Sequence, residues 1–378
     1  MREKILIFIL IFSLVNAKND TGLQDFFKSK NCDPKCTFNS APLTKKTAID
    51  FPKSCSVVCA DLGISVDSGL SESELTELFK NTKTLIGRLQ VLYTAFTSGK
   101  FLEGLETIEC YNSEMTWFMN PEMVELGLTN LSTVNCNGID IFGNAKMKKL
   151  NMPNIKNITH PKPAKQSKIS INTNLRSFCI STQEMLNFMK IKTTYVKSIL
   201  VDNYCDSPKF DGTLCKKPAK GCVQILGDIV IDSKFDLEIM KFVEVIFGRL
   251  TISGTEITDF GFLENLEYVA KLEHKSAILI KDNKQLVNVT FPKLKRIFSG
   301  SSTYTMEFEY NNQILAQNSS YCFELRRTLD LEDSPTFDGF SCEFLKNNPS
   351  YFVYGKQSAR NFGFGGLVTM LTVLVALI

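Results

Sequence analysis

The sequence predicts an α/β solenoid made of two copies of one domain, each a short right-handed β-helix capped by disulfides. Three observations lead to this prediction: an internal repeat, a strand rhythm inside each copy, and twelve cysteines placed around the copies. The 378 residues are enough for two domains, and 44% hydrophobic with 22% charged residues is typical of a folded chain. The net charge of +3 is too balanced for a typical nucleic-acid-binding protein.

The repeat consists of two sequence blocks that each occur twice, in the same order. Residues 86–108 align with 247–269 without a gap, with ten identities in 23 positions. Residues 139–158 align with 278–297, and all seven apolar positions of this block are kept. The offset between the copies falls from 161 to 139, so the first copy carries 22 extra residues between its blocks. The chain therefore contains two copies of one domain.

Each copy contains the short alternation of a solenoid strand. In residues 139–144 and 278–283 the pattern Ile-x-Ile-x-x-Asn matches the core of a leucine-rich rung. A short strand points alternate side chains inward, and the chain must then turn a corner, where a buried carboxamide can bond the backbone. We therefore expect Asn144 and Asn283 to be structural, and we expect stacked rungs to form a parallel sheet on one face.

The cysteines indicate disulfide caps rather than a metal site. Cys110 and Cys136 belong to the first copy alone, which suggests that they form one bridge. Equivalent cysteines end the two copies, and each has a plausible partner downstream. The predicted bridges are Cys110–Cys136, Cys179–Cys205 and Cys322–Cys342. Spacing leaves the pairing of six cysteines open: Cys32, Cys36, Cys55, Cys59, Cys215 and Cys222.

The two ends of the chain carry signals of the secretory pathway. A basic start, an apolar run and the small-residue site Val15-Asn16-Ala17 predict a signal peptide over 1–17. Residues 362–378 form an apolar tail that favours a GPI-attachment signal, with Ser358 or Gly355 as the attachment residue. A short single-span anchor and a buried helix are the alternatives for this tail. The expected location is the extracellular face of the plasma membrane.

These signals predict the organisation of the whole chain. The segments are a signal peptide (1–17), a cysteine-rich N-terminal cap (18–59), a first domain (60–204), a short cysteine-containing junction (205–221), a second domain (222–345), a stalk (346–361) and the hydrophobic tail (362–378). Five sequons occur, and four of them predict surface N-glycans, at Asn130, Asn157, Asn288 and Asn318; the fifth, Asn19, is the weakest because it lies beside the cleavage site. The basic stretch 161–168 is interpreted as a solvated loop rather than an anion-binding patch.

Several motifs carry a resemblance to a known family. They are Phe-Pro-Lys-x-Cys-x-x-Val-Cys at 51–59, Gly-Leu-Glu-Thr-Ile-Glu-Cys at 104–110, Val-Glu-Leu-Gly-Leu-Thr-Asn-Leu at 124–131, Val-Glu-Val-Ile-Phe-Gly at 243–248 and Phe-Asp-Gly-x-x-Cys at 337–342. Cysteine-bounded repeats with these motifs resemble the receptor L domain, the ligand-binding module of insulin and EGF receptors. The finer resemblance is to the nematode insulin/EGF-receptor-like L-domain proteins, and it covers roughly residues 32–342.

The resemblance implies a non-enzymatic extracellular binding protein with two receptor L domains. The gap from 204 to 222 is too short for a furin-like module, and no kinase motif follows. The implied partners are a secreted insulin-like or EGF-like peptide, or a receptor ectodomain, bound as a decoy or a co-receptor. The alternative is a structural or adhesive surface glycoprotein with homophilic contacts. These two classes differ in whether the chain binds a ligand or itself.

The expected binding face is the exposed side of the parallel sheet, because solenoids use extended faces for partners. The alternation places Gln90, Asp140, Thr251 and Leu279 outward, and these residues are the candidate ligand contacts. No catalytic residue, metal site, cofactor or nucleic-acid partner is predicted. The two histidines, His160 and His274, are isolated in the sequence, and the chain has neither a G-x-S-x-G motif nor a P-loop.

Overall fold

The computed structural model describes residues 21–173, 177–201, 203–207, 213–300, 305–331 and 334–349. These residues form two compact units. The first unit holds the described residues up to 173 together with Ile191–Tyr195, and the second holds 177–190 and the described residues from 196 onward. The first domain predicted from the sequence, 60–204, therefore ends inside the second unit.

Short strands dominate both units. The strands are β1 Thr37–Phe38, β2 Val57–Ala60, β3 Leu62–Ser65, β4 Thr84–Ile86, β5 Leu89–Leu92, β6 Thr107–Glu109, β7 Met115–Phe118, β8 Thr133–Asn135, β9 Gly138–Phe142, β10 Asn157–Thr159, β11 Ser167–Asn172, β12 Cys179–Ile180, β13 Thr194–Leu200, β14 Asn203–Tyr204, β15 Leu214–Cys215, β16 Gln224–Leu226, β17 Ile229–Ile231, β18 Val245–Phe247, β19 Leu250–Ser253, β20 Tyr268–Lys271, β21 Ile278–Lys281, β22 Arg296–Ser299, β23 Met306–Glu309 and β24 Thr336–Phe337.

The helices are short and lie mostly towards the ends of the units in sequence. The α-helices are α1 Thr21–Ser29, α2 Glu72–Phe79, α3 Thr182–Lys190, α4 Gln313–Gln317, α5 Ser319–Leu329 and α6 Cys342–Asn347. The 3-10 helices are Pro34–Cys36, Ala48–Asp50, Val66–Ser68, Lys100–Leu102, Leu237–Phe242 and Gly261–Leu263. Ser71 and Glu74 form a capping box at the start of α2, in which each side chain accepts a hydrogen bond from the other residue's backbone N–H.

Parallel sheets run through each unit. In the first unit, sheet A has the order β1-β2-β4-β6-β8-β10 and sheet B contains β3, β5, β7, β9 and β11 as successive neighbours. In the second unit, sheet C has the order β15-β16-β18-β20-β22 and sheet D the order β17-β19-β21-β23-β24. From β2 to β11 and from β16 to β23, strands alternate between the two sheets of their unit, which is the pattern of stacked solenoid rungs. The solenoid-like β fold expected from the repeat is therefore present, and its right-handed sense stays a prediction.

A glycine makes the sharp turn between the two strands of a rung. Gly87 lies between β4 and β5 with a φ of 136°, a conformation that side chains with a Cβ rarely adopt. A Cβ at this position would lie 1.9 Å from the carbonyl oxygen of Ala60 in the neighbouring rung. The Gly-Arg-Leu triplet shared by the two copies therefore begins with a residue that the close stacking of rungs requires.

Asparagines form a buried ladder at the next corner of the rungs. In the first unit, Asn144 Oδ1 accepts hydrogen bonds from the backbone N–H and Nδ2 of Asn120, at 2.9 and 3.0 Å. Asn120 Oδ1 in turn accepts from the backbone N–H and hydroxyl of Thr94. The second unit repeats this with Asn311 and Asn283, and Asn120, Asn144 and Asn283 are fully buried. The structural role expected for Asn144 and Asn283 is the one they have in the structure.

The 22 extra residues of the first copy form one additional rung. This rung contains β7 and β8, and Cys110 and Cys136 flank it and are joined to each other. The single tryptophan of the chain, Trp117, lies in β7 with no exposed surface. Gly99 leaves room for its ring, because a Cβ there would lie 2.6 Å from Trp117 Cη2. The inserted rung is thus packed and stapled as part of the first unit.

All twelve cysteines are paired in the structure. The three pairs named from the sequence are bonded, with Cα atoms 4.7 to 5.4 Å apart. The pairs that spacing left open are Cys32–Cys59, Cys36–Cys55 and Cys215–Cys222. Two bridges in the N-terminal segment cover the first rungs, where a solenoid end would otherwise be exposed.

The second unit has an ion pair where the first unit has the Cys110 bridge. Lys271, which aligns with Cys110, is nearly buried, and its ammonium lies 2.9 Å from Asp228 Oδ1 and 3.3 Å from Glu273 Oε1. Burial alone would raise the pKa of Asp228, but hydrogen bonds from the Arg249 backbone N–H and from Lys271 outweigh it and hold that pKa below its ordinary value. Charge pairing therefore replaces a covalent link at this corner.

Candidate functional site

The outer face of sheet B contains both candidate contacts named in the first copy. Gln90 pairs with Thr116, and Thr116 pairs with Asp140, so the three side chains form one row across β5, β7 and β9. All three are half-buried and alternate with fully buried neighbours. Their outward orientation agrees with the alternation in the sequence. A role for Gln90 and Asp140 in ligand binding stays a prediction.

The outer face of sheet D contains the other two candidates. Thr251 on β19 pairs directly with Leu279 on β21, and Glu307 continues the row on β23. Leu279 is half-buried, so it is partly accessible between a threonine and a carboxylate. Arg249 lies 3.8 Å from Glu307 and donates a hydrogen bond to Ser276 Oγ. A ligand role for Thr251 and Leu279 also stays a prediction.

A second row on sheet B is apolar. Leu92, Phe118 and Phe142 are the last residues of β5, β7 and β9 and are direct neighbours in the strand register. The rings of Phe118 and Phe142 are stacked, with centroids 5.5 Å apart and planes inclined by 15°. Phe142 is 37% exposed, and the other two side chains are half-buried. Large apolar side chains thus lie side by side on the outer face of a regular sheet.

Two corner residues extend this row. Tyr93 and Met119 follow β5 and β7 in the left-handed conformation, each with a φ of 55°, and they are 36% and 39% exposed. Tyr93 contacts Phe118 edge to face, with centroids 5.5 Å apart. A Cβ on Gly143 would lie only 2.4 Å from Met119 Sδ, so the thioether packs directly over this glycine. The same conformation follows equivalent strands elsewhere, at Gly143, Asp282 and Tyr310, so it belongs to the corner of each rung and does not itself mark a site.

We call Leu92, Tyr93, Phe118, Met119 and Phe142 the apolar patch. Sheet D has a different character at the equivalent positions. The repeat alignment places Ser253 opposite Leu92 and Lys281 opposite Phe142, and Lys281 is paired with Glu309 in the register of sheet D. The two copies therefore share one scaffold and differ in this outer row, which holds Leu92, Phe118 and Phe142 in the first unit and Ser253, Lys281 and Glu309 in the second.

Sequence reasoning about outward positions missed the apolar patch. The missed signal is the last residue of each strand: Leu-Gln-Val-Leu at 89–92, Met-Thr-Trp-Phe at 115–118 and Ile-Asp-Ile-Phe at 139–142. In each strand the alternation continues outward to a large apolar residue, although this position faces solvent. The extra rung supplies Phe118, and the repeat alignment skipped that rung because it has no counterpart in the second copy.

The remaining predicted sites divide between described and undescribed residues. The sequon asparagines Asn130, Asn157, Asn288 and Asn318 are all exposed. Asn19, the signal peptide, the tail and the attachment candidates Ser358 and Gly355 lie outside the described residues. Within the described ranges, no helix combines the length and hydropathy needed to cross a bilayer. In the same ranges, no three His, Cys, Asp or Glu side chains are grouped so that they could hold a metal ion.

Comparison with models of known protein families relates part of the chain to one family. Residues 221–326 match the family model of the receptor L domain. Both repeat blocks of the second copy, 247–269 and 278–297, lie inside the matched region, and the repeat relates the first copy to them. A search of curated proteins finds no match. The matched domain is a ligand-binding type, and together with six disulfides it indicates an extracellular or secreted protein.

Proposed function

We propose that this chain is an extracellular binding protein whose first unit captures a protein or peptide ligand on the apolar patch. The observation that carries the proposal is the row of stacked apolar side chains on the outer face of sheet B. A contiguous exposed apolar patch marks an interaction site more often than isolated apolar residues do. The receptor L domain match in the second unit supports a ligand-binding role for the fold.

The chemistry of the apolar patch favours a folded protein surface as the ligand. Aromatic residues and methionine are enriched at the centres of protein interfaces, where they supply large contact area at a small cost in conformational entropy. The strands that hold Leu92, Phe118 and Phe142 are paired on both sides, so little ordering is needed on binding. Met119 adds an adaptable side chain at the edge.

The finer proposal concerns the partner and the setting. The resemblance of the sequence to insulin and EGF receptor L domains supports a small disulfide-bonded peptide, or a receptor ectodomain, as the partner. The apolar tail over 362–378 supports attachment to the outer leaflet of the plasma membrane. A binding protein tethered in this way would act as a decoy or as a co-receptor.

The test is a binding assay with the secreted chain and a panel of insulin-like and EGF-like peptides. We expect saturable one-to-one binding with a Kd below about 1 μM. The double variant Tyr93→Asn/Phe142→Ser should weaken binding at least about 30-fold, because truncated hot-spot residues typically cost about 2 kcal/mol or more. Asparagine is chosen because it tolerates the left-handed conformation of residue 93.

The control is Val230→Ser, which removes a valine that is 60% exposed on the outer face of sheet D. It should leave the Kd within about twofold. Trp117 fluorescence should be unchanged in both variants, because the indole is fully buried in the first unit and neither substitution removes a buried side chain. Binding that is equally tight in the double variant would refute the apolar patch as the contact. If the unaltered chain binds no peptide but self-associates, and the double variant loses this self-association, the adhesive alternative is favoured instead.

A further inference from the structure

The positive charge of the chain is concentrated in one stretch. Residues 141–183 contain no Asp or Glu. The stretch contains eight cationic residues: Lys146, Lys148, Lys149, Lys156, Lys162, Lys165, Lys168 and Arg176. The net charge of the whole chain is only +3, so the remainder carries a net negative charge. The overall balance therefore hides a strongly basic region.

Ion pairs neutralise part of this region and leave another part free. Lys146 lies 2.6 Å from Glu122, and Lys149 lies 3.3 Å from Glu125, so these two ammonium groups have carboxylate partners. The second part consists of four lysines, which we call the basic corner: Lys156, Lys162, Lys165 and Lys168. All four are exposed, and none pairs with an acidic side chain in the described part of the chain.

Two of the four lysines of the basic corner lie in a turn that internal hydrogen bonds hold together. It connects β10 to β11, and Lys162 and Lys165 lie within it. The Lys162 backbone N–H donates a hydrogen bond to His160 Nδ1 at 2.9 Å, and the Lys165 backbone N–H donates one to the Lys162 carbonyl at 3.0 Å. Pro161 and Pro163 restrict the backbone further. A ligand of the side chains would therefore pay little entropy to order the loop.

The local electrostatics agree with this geometry. The pKa of His160 is lowered, first by burial of the ring and then by the positive charges of Lys165 and Lys162. The two ammonium groups thus raise the electrostatic potential at one point of the corner. Lys168 adds a further charge at the start of β11, where it is exposed beside Gly138 of β9.

The composition of the region discriminates between classes of polyanion. Residues 143–177 contain no Phe, Tyr or Trp, whereas single-stranded nucleic acids are bound by stacking bases on aromatic side chains. Among the described residues from 143 to 199, none is an exposed large hydrophobic that could enter a bilayer. Exposed ammonium groups alone, on an extracellular or secreted protein, fit the sulfate groups of a linear polysaccharide.

We infer that the basic corner binds sulfated glycosaminoglycans, which replaces the interpretation of 161–168 as a solvated loop without an anion-binding role. The site is separate from the apolar patch, since none of its residues belongs to that patch. Binding would hold the protein in a polysaccharide matrix while the apolar patch stays available. Because the attraction is between surface lysines and sulfates, it is screened by salt and should weaken steeply as ionic strength rises.

The test measures binding of the full chain to immobilised heparin in 0.15 M salt, about the physiological ionic strength. The triple variant Lys162→Gln/Lys165→Gln/Lys168→Gln should lower the affinity about tenfold, because three exposed charge contacts of ordinary strength together give about that factor. Its control is Lys35→Gln/Lys46→Gln/Lys234→Gln, which makes the same change in net charge at exposed lysines outside the corner. The control should stay within about twofold of the unaltered chain, and both proteins should show unaltered Trp117 fluorescence.

Three results would overturn the inference. The first is equal loss of heparin affinity in the triple variant and its control, which would indicate a diffuse charge effect. The second is equal binding to heparin and to fully desulfated heparin. The third is equal or tighter binding to phosphatidylserine vesicles, which would assign the basic corner to a membrane surface. The Tyr93→Asn/Phe142→Ser variant should bind heparin normally, so failure of this inference is distinguishable from failure of the apolar patch.

Discussion

Replacing Asn144 with alanine should destabilise the first unit strongly. The side chain is fully buried and makes three hydrogen bonds: two accepted from Asn120, at 2.9 and 3.0 Å, and one donated to the Trp117 carbonyl, at 2.9 Å. Each buried polar group that loses its partner costs about 1 to 3 kcal/mol. We expect the free energy of unfolding to fall by about 3 to 5 kcal/mol, since local collapse recovers part of the summed cost.

The assay is urea unfolding followed by the fluorescence of Trp117, the single tryptophan, which is buried in the same unit. The midpoint should shift to lower urea with an unchanged slope. Asn39→Ala is the matched control, because Asn39 is an exposed asparagine of the first unit and its loss should cost less than about 0.5 kcal/mol. A loss below about 1 kcal/mol in Asn144→Ala would refute the ladder as a major source of stability.

Two further predictions follow from packing and charge. Gly99→Ala places a Cβ 2.6 Å from Trp117 Cη2, so it should lower the free energy of unfolding by about 1 to 3 kcal/mol and shift the tryptophan emission spectrum. The control is Gly63→Ala, because a Cβ at Gly63 would meet no atom within 4 Å. In the same urea titration followed by fluorescence, this control should be nearly neutral. The folded-state pKa of Asp228 is lowered, so its contribution to stability is fully present above the unfolded pKa of about 3.9 and is lost as pH falls through the folded pKa. Lys271→Met removes the ammonium partner, so the melting temperature should fall less steeply with decreasing pH in this acidic range. An unchanged pH dependence of the melting temperature would contradict the pairing.

The strand rhythm could be predicted from sequence because burial follows a local period. Side chains on a strand alternate, so Leu89 and Val91 point inward whatever their neighbours are, and Gln90 points outward. The corner asparagines were predictable for a similar reason, since a buried turn needs a polar group to bond its backbone. Their hydrogen-bond partners in the ladder could not be predicted. Asn120, the partner of Asn144, lies in the extra rung, which has no counterpart in the comparison of the two copies.

The pairing of six cysteines could not be assigned from their spacing in the sequence. Cys32 and Cys59 are separated by 27 residues, and Cys36 and Cys55 by 19, yet the nested pairing depends on how the N-terminal segment folds back on the first rungs. Spacing sets how far the chain can reach, but several pairings satisfy the same reach. The choice among them belongs to the tertiary structure.

The sequence by itself determined the repeat, the rung period and the corner asparagines, because each depends on residues that are close together in the chain. The tertiary structure alone decided which outward side chains form a surface. Leu92 and Phe118 are 26 residues apart in sequence, Phe118 and Phe142 are 24 apart, and each pair becomes adjacent only through the register of stacked strands. Contacts across rungs depend on rung length and alignment, which no local period encodes, and the apolar patch is a property of that alignment.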